Sequence, residues 1–581
     1  VAPSRYDVTI IPDLAAGRFS GSVTIAIEAN AALDEVVCNA IGLELESAHL
    51  DGQPVTWRLD EPHERLHIQA ALPPGQHRLT FQFNGPLNDK LRGFYRSTWT
   101  GADGVEHVLG TTHMQPGEAR RVFPCWDEPS FKAVFAITVV VEPGHEVISN
   151  SAELDRRQRT DGTVAVRFAD TISMSTYLVA WVVGELEFSD AADVDGIAVR
   201  VVSVPGKRFM TAWALQCATF SLRYFQDYYG IAYPSTKCDL VAIPDFAAGA
   251  MENLGCITFR ESLLLVHPER TTPAEQQQVA DVVMHEMAHM WFGDLVTMRW
   301  WNGTWLNEAF ATFMELIAVD AFRPQWRRWD TFSVERTAAF DLDGLSSTRP
   351  VEFAVHSPAE THAMFDVLTY QKGGALLRML EQYLGPEAFR SGVRRYLTTH
   401  AYGNTETSDL WDAVEAATGE PVRAVMDSWI WCGGFPLVSA HLRGESLELR
   451  QQPFAFAESD EVGLWSIPVL VANGGAVIKL LLTEESATVQ LPHPTQAVIV
   501  NHGAHGYYRV AYDETLASRL TGSVLASLSP AERYGLIDDA WSAVLSGRTD
   551  IVEFCRLLRQ FADQADLATW RLVTTALTWC D

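Results

Sequence analysis

Alternation of apolar and polar positions dominates the first 190 or so residues. In GSVTIAIEA, Val23, Ile25 and Ile27 alternate with Thr24, Ala26 and Glu28, and Phe135, Ile137, Val139 and Val141 do the same in AVFAITVVVE. A period of two places one set of side chains on one face of a strand. Turn clusters such as LPPGQ and EPGH separate these runs, which predicts an antiparallel β domain. Near residues 210–230 the period becomes helical, in TAWALQCATFSLRYFQDYYG, and long helical patterns dominate to about residue 435. From Phe435 to Asp513 short strands return, among them LELRQQ, SIPVLVA and VIKLLLT. After Leu516 the pattern is helical again, with ERYGLIDDAWSAVLSG. No repeat, low-complexity segment or long flexible linker interrupts this order.

A chain of 581 residues is too long for one core and implies roughly three or four domains. With 47% hydrophobic and 20% charged residues it can bury several cores, so disorder is not the default. The net charge of −29 argues against nucleic acid or an anionic membrane as partner, and it enriches cationic ligands near clefts. Eight cysteines (38, 125, 217, 238, 256, 432, 555, 580) show no CxxC spacing, a reduced, cytosolic pattern. No run approaches the roughly 18 apolar residues of a membrane span. The opening VAPSRYDVTIIPDL is no signal peptide, although a leader removed before Val1 would be invisible. The single N-glycosylation sequon, Asn302-Gly303-Thr304, falls beside the chemistry described next, where a glycan would hardly fit, so a cytoplasmic location is expected.

Residues 282–294 read VVMHEMAHMWFGD: apolar, helical, and yet carrying two histidines and a glutamate. Burying such groups costs free energy unless each finds a partner. Thr272, Pro273 and Glu275 predict the helix start as N-cap, first-turn proline and capping box, and Gly293 offers a stop. On a helix His289 lies about 40° around the axis from His285, with Glu286 about 60° beyond it, so all three can face one pocket. H-E-x-x-H holds two imidazoles one turn apart, the span for one zinc ion, with a carboxylate able to reach a metal-bound water. The bland alternative is a pair of structural histidines in a core helix. A catalytic zinc needs a third ligand. NGTWLNEAFATFMELIAVDAF supplies Glu308, nineteen residues after His289, on a second helix that a turn through the Gly303 region would fold back over the histidines. Glu315, two turns further on, is a candidate to anchor that ligand set.

Four stretches together resemble the GAMEN-type zinc aminopeptidases, the group containing aminopeptidase N and leukotriene hydrolase. They are HEMAHMWFGDLVTMRWWNGTWLNEAFA, the Gly249–Asn253 sequence GAMEN within AAGAMENLG, EARRVFPCWDEPSFKAVF (118–135) and FDVLTYQKGGALLRML (365–380). Weaker echoes, RYDVTIIPDL and GYYRVAYD, extend the likeness to nearly the whole chain. The resemblance implies a multidomain α+β fold: an N-terminal β domain (1–190), a thermolysin-like catalytic domain (191–435), a small β-sandwich (436–513) and an all-helical domain (514–581). The last is shorter than the family's usual helical domain.

The resemblance also implies one Zn²⁺ per chain on His285, His289 and Glu308, with Glu286 as general base. It points to Tyr370 of YQKG as a second oxyanion donor, a choice among 15 tyrosines that spacing alone would not make. Glu252 would bind the free α-ammonium of a peptide by a charge-assisted hydrogen bond, with Gly249, Ala250, Met251 and Asn253 alongside the substrate like an added strand. Gln115 of THMQPGEARR aligns with a further amine contact. Met251 either brushes the first substrate side chain or simply packs. Departures from the family pattern at Met290, Asp294, Arg299, Gly303 and Ala309 remove no ligand, base or amine anchor.

The expected activity is removal of single N-terminal residues from peptides with a free amine, with broad preference for neutral or basic side chains. Three alternatives stay open at this point: an epoxide hydrolase sharing the zinc core, a thermolysin-like endopeptidase, and a scaffold without catalysis.

Overall fold

The computed structural model describes residues 1–457, 463–562 and 566–579. They form two compact units. The first comprises 1–303 with 356–362 and 397–406; the second comprises 304–355, 363–396 and the described residues from 407 onward. Cys580, read above with the other cysteines, lies outside the described residues; the remaining seven are free thiols, five of them buried.

In the first unit, strand Arg18–Ala29 buries Val23, Ile25 and Ile27 while Thr24 and Ala26 stay partly exposed, as the alternation requires. It pairs antiparallel with Ala2–Asp13 on one side and Gly75–Pro86 on the other, inside an eight-stranded sheet. Ala2–Asp13 in turn runs parallel to Val134–Val141, which sets Tyr6 opposite Phe135, their rings stacked at 4.9 Å. A four-stranded sheet follows, ordered Glu146–Ser149, Trp181–Gly184, Glu106–His113, Gly93–Thr100.

The stretch read as mainly helical from residue 210 also contains strands. Ile197–Ser203, Lys237–Ile243 and Cys256–Arg260 pair in parallel, and the short strand Ala250–Met251 closes that sheet's edge antiparallel. Every residue of KCDLVAI is buried, so this strand shows no alternation to read, as expected for a strand covered on both faces. Helices α1 (Ala212–Tyr229) and α2 (Pro273–His289) pack together beside it.

The second unit opens with α3 (Trp305–Phe322), buried without a break from Trp305 to Met314. Next come α4 (Arg328–Asp343) and a single π-helical turn, Leu368–Lys372, which runs into α5 (Gly373–Leu384). A sheet of four strands and one of three follow between Pro436 and Tyr512. Helices α6 (Pro530–Leu545), α7 (Ile551–Arg559) and α8 (Leu567–Thr578) then bury Ile537, Trp541, Phe554, Leu572 and Val573 in one cluster. Among the described residues no helix is long and apolar enough to cross a membrane.

Candidate zinc and amine site

Helix α2 begins as its sequence predicts. Thr272 Oγ1 accepts from Glu275 N–H at 3.3 Å, the Glu275 carboxylate accepts from Thr272 N–H at 2.7 Å, and Pro273 occupies the first turn. It ends earlier than expected, at His289 rather than Gly293. Beyond it Phe292 N–H still donates to Ala288 O in the α-helical pattern, Trp291 N–H shares that carbonyl, and Gly293 then adopts φ +135°. This path brings Phe292 O within 2.9 Å of His289 Nδ1. Only a protonated Nδ1 can make that bond, so the lone pair of a neutral His289 sits on Nε2.

That lone pair faces His285 Nε2 at 3.1 Å. Two imidazole nitrogens converging this closely, one of them oriented by a backbone carbonyl, suit a shared cation. Such a pair of imidazoles supplies the nitrogen donors of a zinc site.

Within the first unit, Glu286 and Glu252 reach the same spot: a donor atom from each and one from His289 lie within 4.8 Å of one another. Both carboxylates are buried. Glu252 follows directly on Ala250–Met251, the edge strand paired as Ala250↔Phe259 and Met251↔Thr258. Asn253 Nδ2 donates to Thr258 Oγ1 at 3.1 Å and Arg260 N–H donates to Gly249 O at 2.9 Å, so both ends of the GAMEN segment are tied to the neighbouring strand. Met251 is 1% exposed. Gln115 Nε2 donates to Glu252 Oε1 at 3.4 Å, which places the predicted second amine contact beside the first.

Two residues went unmarked as functional by the sequence. Asp294 was noted only as a departure from the family pattern, and Lys132 only as part of a motif. Both carboxyl oxygens of Asp294 are buried with no hydrogen-bond partner among the described residues. Burial first, then the charge on Glu252, and also Glu286, push its pKa well up against the opposing pull of Lys132. The uncharged acid is therefore favoured at Asp294. Lys132 Nζ donates to the carbonyls of Asp294 and Leu295, each at 3.2 Å, and burial brings its pKa down to about 7.

The second unit holds the other two predicted groups. Glu308 is buried in the first turn of α3, where Thr312 Oγ1 donates to its carbonyl at 2.8 Å. Glu315 pairs with Arg328 at 3.6 Å. Tyr370 is half-buried at the centre of the π-helical turn.

Three family models match this chain: the peptidase M1 N-terminal domain over residues 2–178, the peptidase family M1 domain over 213–429 and the ERAP1-like C-terminal domain over 497–581. Aminopeptidase M1-A of Oryza sativa subsp. japonica is 38% identical over 99% of this chain and 68% of its own length. Aminopeptidase M1 of Arabidopsis thaliana is 37% identical over 97% and 67% respectively. The puromycin-sensitive aminopeptidase of Caenorhabditis elegans is 35% identical over 99% and 63%. The chain thus spans about two thirds of the length of these relatives. With the HExxH helix, the GAMEN edge strand and these matches in hand, the chain belongs to peptidase family M1, as a zinc-dependent metallo-aminopeptidase.

Proposed function

We propose that His285, His289 and Glu308 hold the zinc ion, that Glu286 is the general base and that Glu252, with Gln115, binds the substrate's free α-ammonium. When bound, the metal supplies Lewis acidity toward the scissile carbonyl and makes water more acidic. Glu286 takes a proton from the attacking water and delivers it to the departing amine. The Tyr370 hydroxyl donates to the oxyanion that develops on the carbonyl, an interaction stronger in the transition state than in the ground state. The Gly249–Asn253 backbone lies along the substrate as an added strand, with Glu252 fixing the register so that the first peptide bond meets the base.

One observation carries this reading: Glu252, directly after an edge strand, is buried within reach of Glu286 and His289. A carboxylate that close to the base can hold an ammonium only one residue from the bond to be cut. An internal peptide segment would gain nothing from it.

The division into domains at 1–190, 191–435, 436–513 and 514–581 is part of the same proposal. So is a cytoplasmic location, supported by seven free thiols among the described residues, and a preference for peptides over nucleic acid, supported by the net charge of −29.

The test compares a leucine-initiated peptide with its N-acetylated twin, each with and without chelator. Cleavage of the free-amine peptide alone, lost with chelator and restored by zinc, is the expected result. Equal cleavage of both peptides would remove Glu252 from its role.

A further inference from the structure

The turn that carries Tyr370 is fastened at both ends. Lys372 N–H donates to Val367 O, five residues back, at 3.0 Å, the bond of a π-helical turn. Such turns are rare and cluster at functional sites. At the start of the turn the Asp366 carboxylate accepts from Leu368 N–H at 2.9 Å, and from Arg349 Nη2 at 2.6 Å. The same Arg349 nitrogen donates to Thr369 Oγ1 at 3.0 Å. At the end of the turn Lys372 has no exposed surface. Its Nζ pairs with Asp343 Oδ2 at 2.8 Å and donates to Gly434 O at 3.1 Å.

Asp343, likewise fully buried, accepts from Tyr507 OH at 3.2 Å, Gly434 N–H at 2.9 Å and Thr348 Oγ1 at 2.5 Å. The next residue, Gly373, rests on α3 so closely that a Cβ there would stand 2.5 Å from Ala309 Cβ. The turn is therefore seated one residue past Glu308 along α3.

A buried ion pair is poor evidence of stabilisation, because desolvating two charges offsets most of their attraction. What this pair does supply is direction. An apolar contact tolerates sliding, whereas an ammonium held by a carboxylate and a carbonyl fixes one register of the turn.

We propose that Lys372 and Asp343 are positioning residues for the Tyr370 hydroxyl. Acting through the π-helical turn, they aim the phenol at the oxyanion. This rests on the role given to Tyr370 above.

A double-mutant cycle tests it, with Lys372→Met and Asp343→Asn each made alone and together with Tyr370→Phe. The readouts are kcat, KM, zinc content and thermal melting. Each single variant should lower kcat by about 10- to 100-fold, the scale of a small misplacement, with KM and zinc content nearly unchanged. In the Tyr370→Phe background the further loss should shrink to under about threefold, because the hydroxyl being aimed is gone.

The same loss in both backgrounds would overturn the proposal, as would turnover at the parent level in both single variants. If Lys372→Met does not fold, Asp343→Asn still carries the test, since it keeps the shape and one of the two accepting oxygens. Parent-level turnover in Tyr370→Phe alone would instead remove the tyrosine's role, and the positioning role with it.

Discussion

Along α2 the working side chains are placed by bonds that span one turn of chain: Thr272 with Glu275 at the start, His285 with His289 in the middle, His289 with Phe292 at the end. Around Tyr370 the bonds run instead to Arg349, Asp343, Gly434 and, through Asp343, to Tyr507. Both regions hold polar groups inside apolar surroundings. They differ in where the partners come from, and so in what a local change does. In α2 a substitution alters one function and leaves the scaffold. In the tyrosine turn the scaffold itself is assembled from distant segments.

The largest effect that would test this contrast is at Glu286. Glu286→Gln should lower kcat by about 10³- to 10⁴-fold while metal analysis shows zinc retained, because the ligands do not depend on that carboxylate. Loss of zinc would show that α2 is less modular than its short-range bonds imply. Tyr370→Phe should follow, with about 10²- to 10³-fold loss in kcat and little change in KM, read by steady-state kinetics on a leucine-initiated peptide. A rise in KM alone would place the phenol on the substrate ground state.

Two stability measurements extend the comparison. Glu532 is the capping-box residue of α6 and also the partner of His502, at 2.8 Å, and of Gly503 N–H, at 2.8 Å. Burial alone would raise its pKa, but these hydrogen bonds outweigh burial and bring it down to about 2. A carboxylate depressed on folding adds stability that is complete above its ordinary value near 4.5 and is lost as pH falls toward about 2. Glu532→Gln should therefore cost about 2–3 kcal/mol at pH 7 and progressively less in melts taken between pH 4.5 and 2. Thr272→Ala removes only a local cap and should cost about 1 kcal/mol at pH 7. Equal costs at both sites would erase the distinction between local and long-range anchoring.

How much could be read in advance follows the same line. The HExxH spacing, the capping box and the alternation in Arg18–Ala29 are short-range facts, and each is present where the sequence predicted it. Gly293 does leave the helical path, with φ +135°, although the regular helix already stops at His289. KCDLVAI escaped because a strand buried on both faces carries no period. Asp294 escaped too: a carboxyl next to a glycine looks like a loop acid until its burial and its neighbours Glu252, Lys132 and Glu286 are known.

The candidate amine anchor Glu252 was legible only through the resemblance of its GAMEN motif, whereas the residues alone determined the HExxH helix and the alternating strand Arg18–Ala29. These depend on periods and spacings of a few residues, which chain geometry converts directly into shared faces. Only tertiary structure decided that Lys132 comes to Asp294 and that a buried Lys372–Asp343 pair stands behind the tyrosine turn. Such contacts join residues far apart in sequence. Their free energy exists only after packing has removed water from around them, so no local pattern records them.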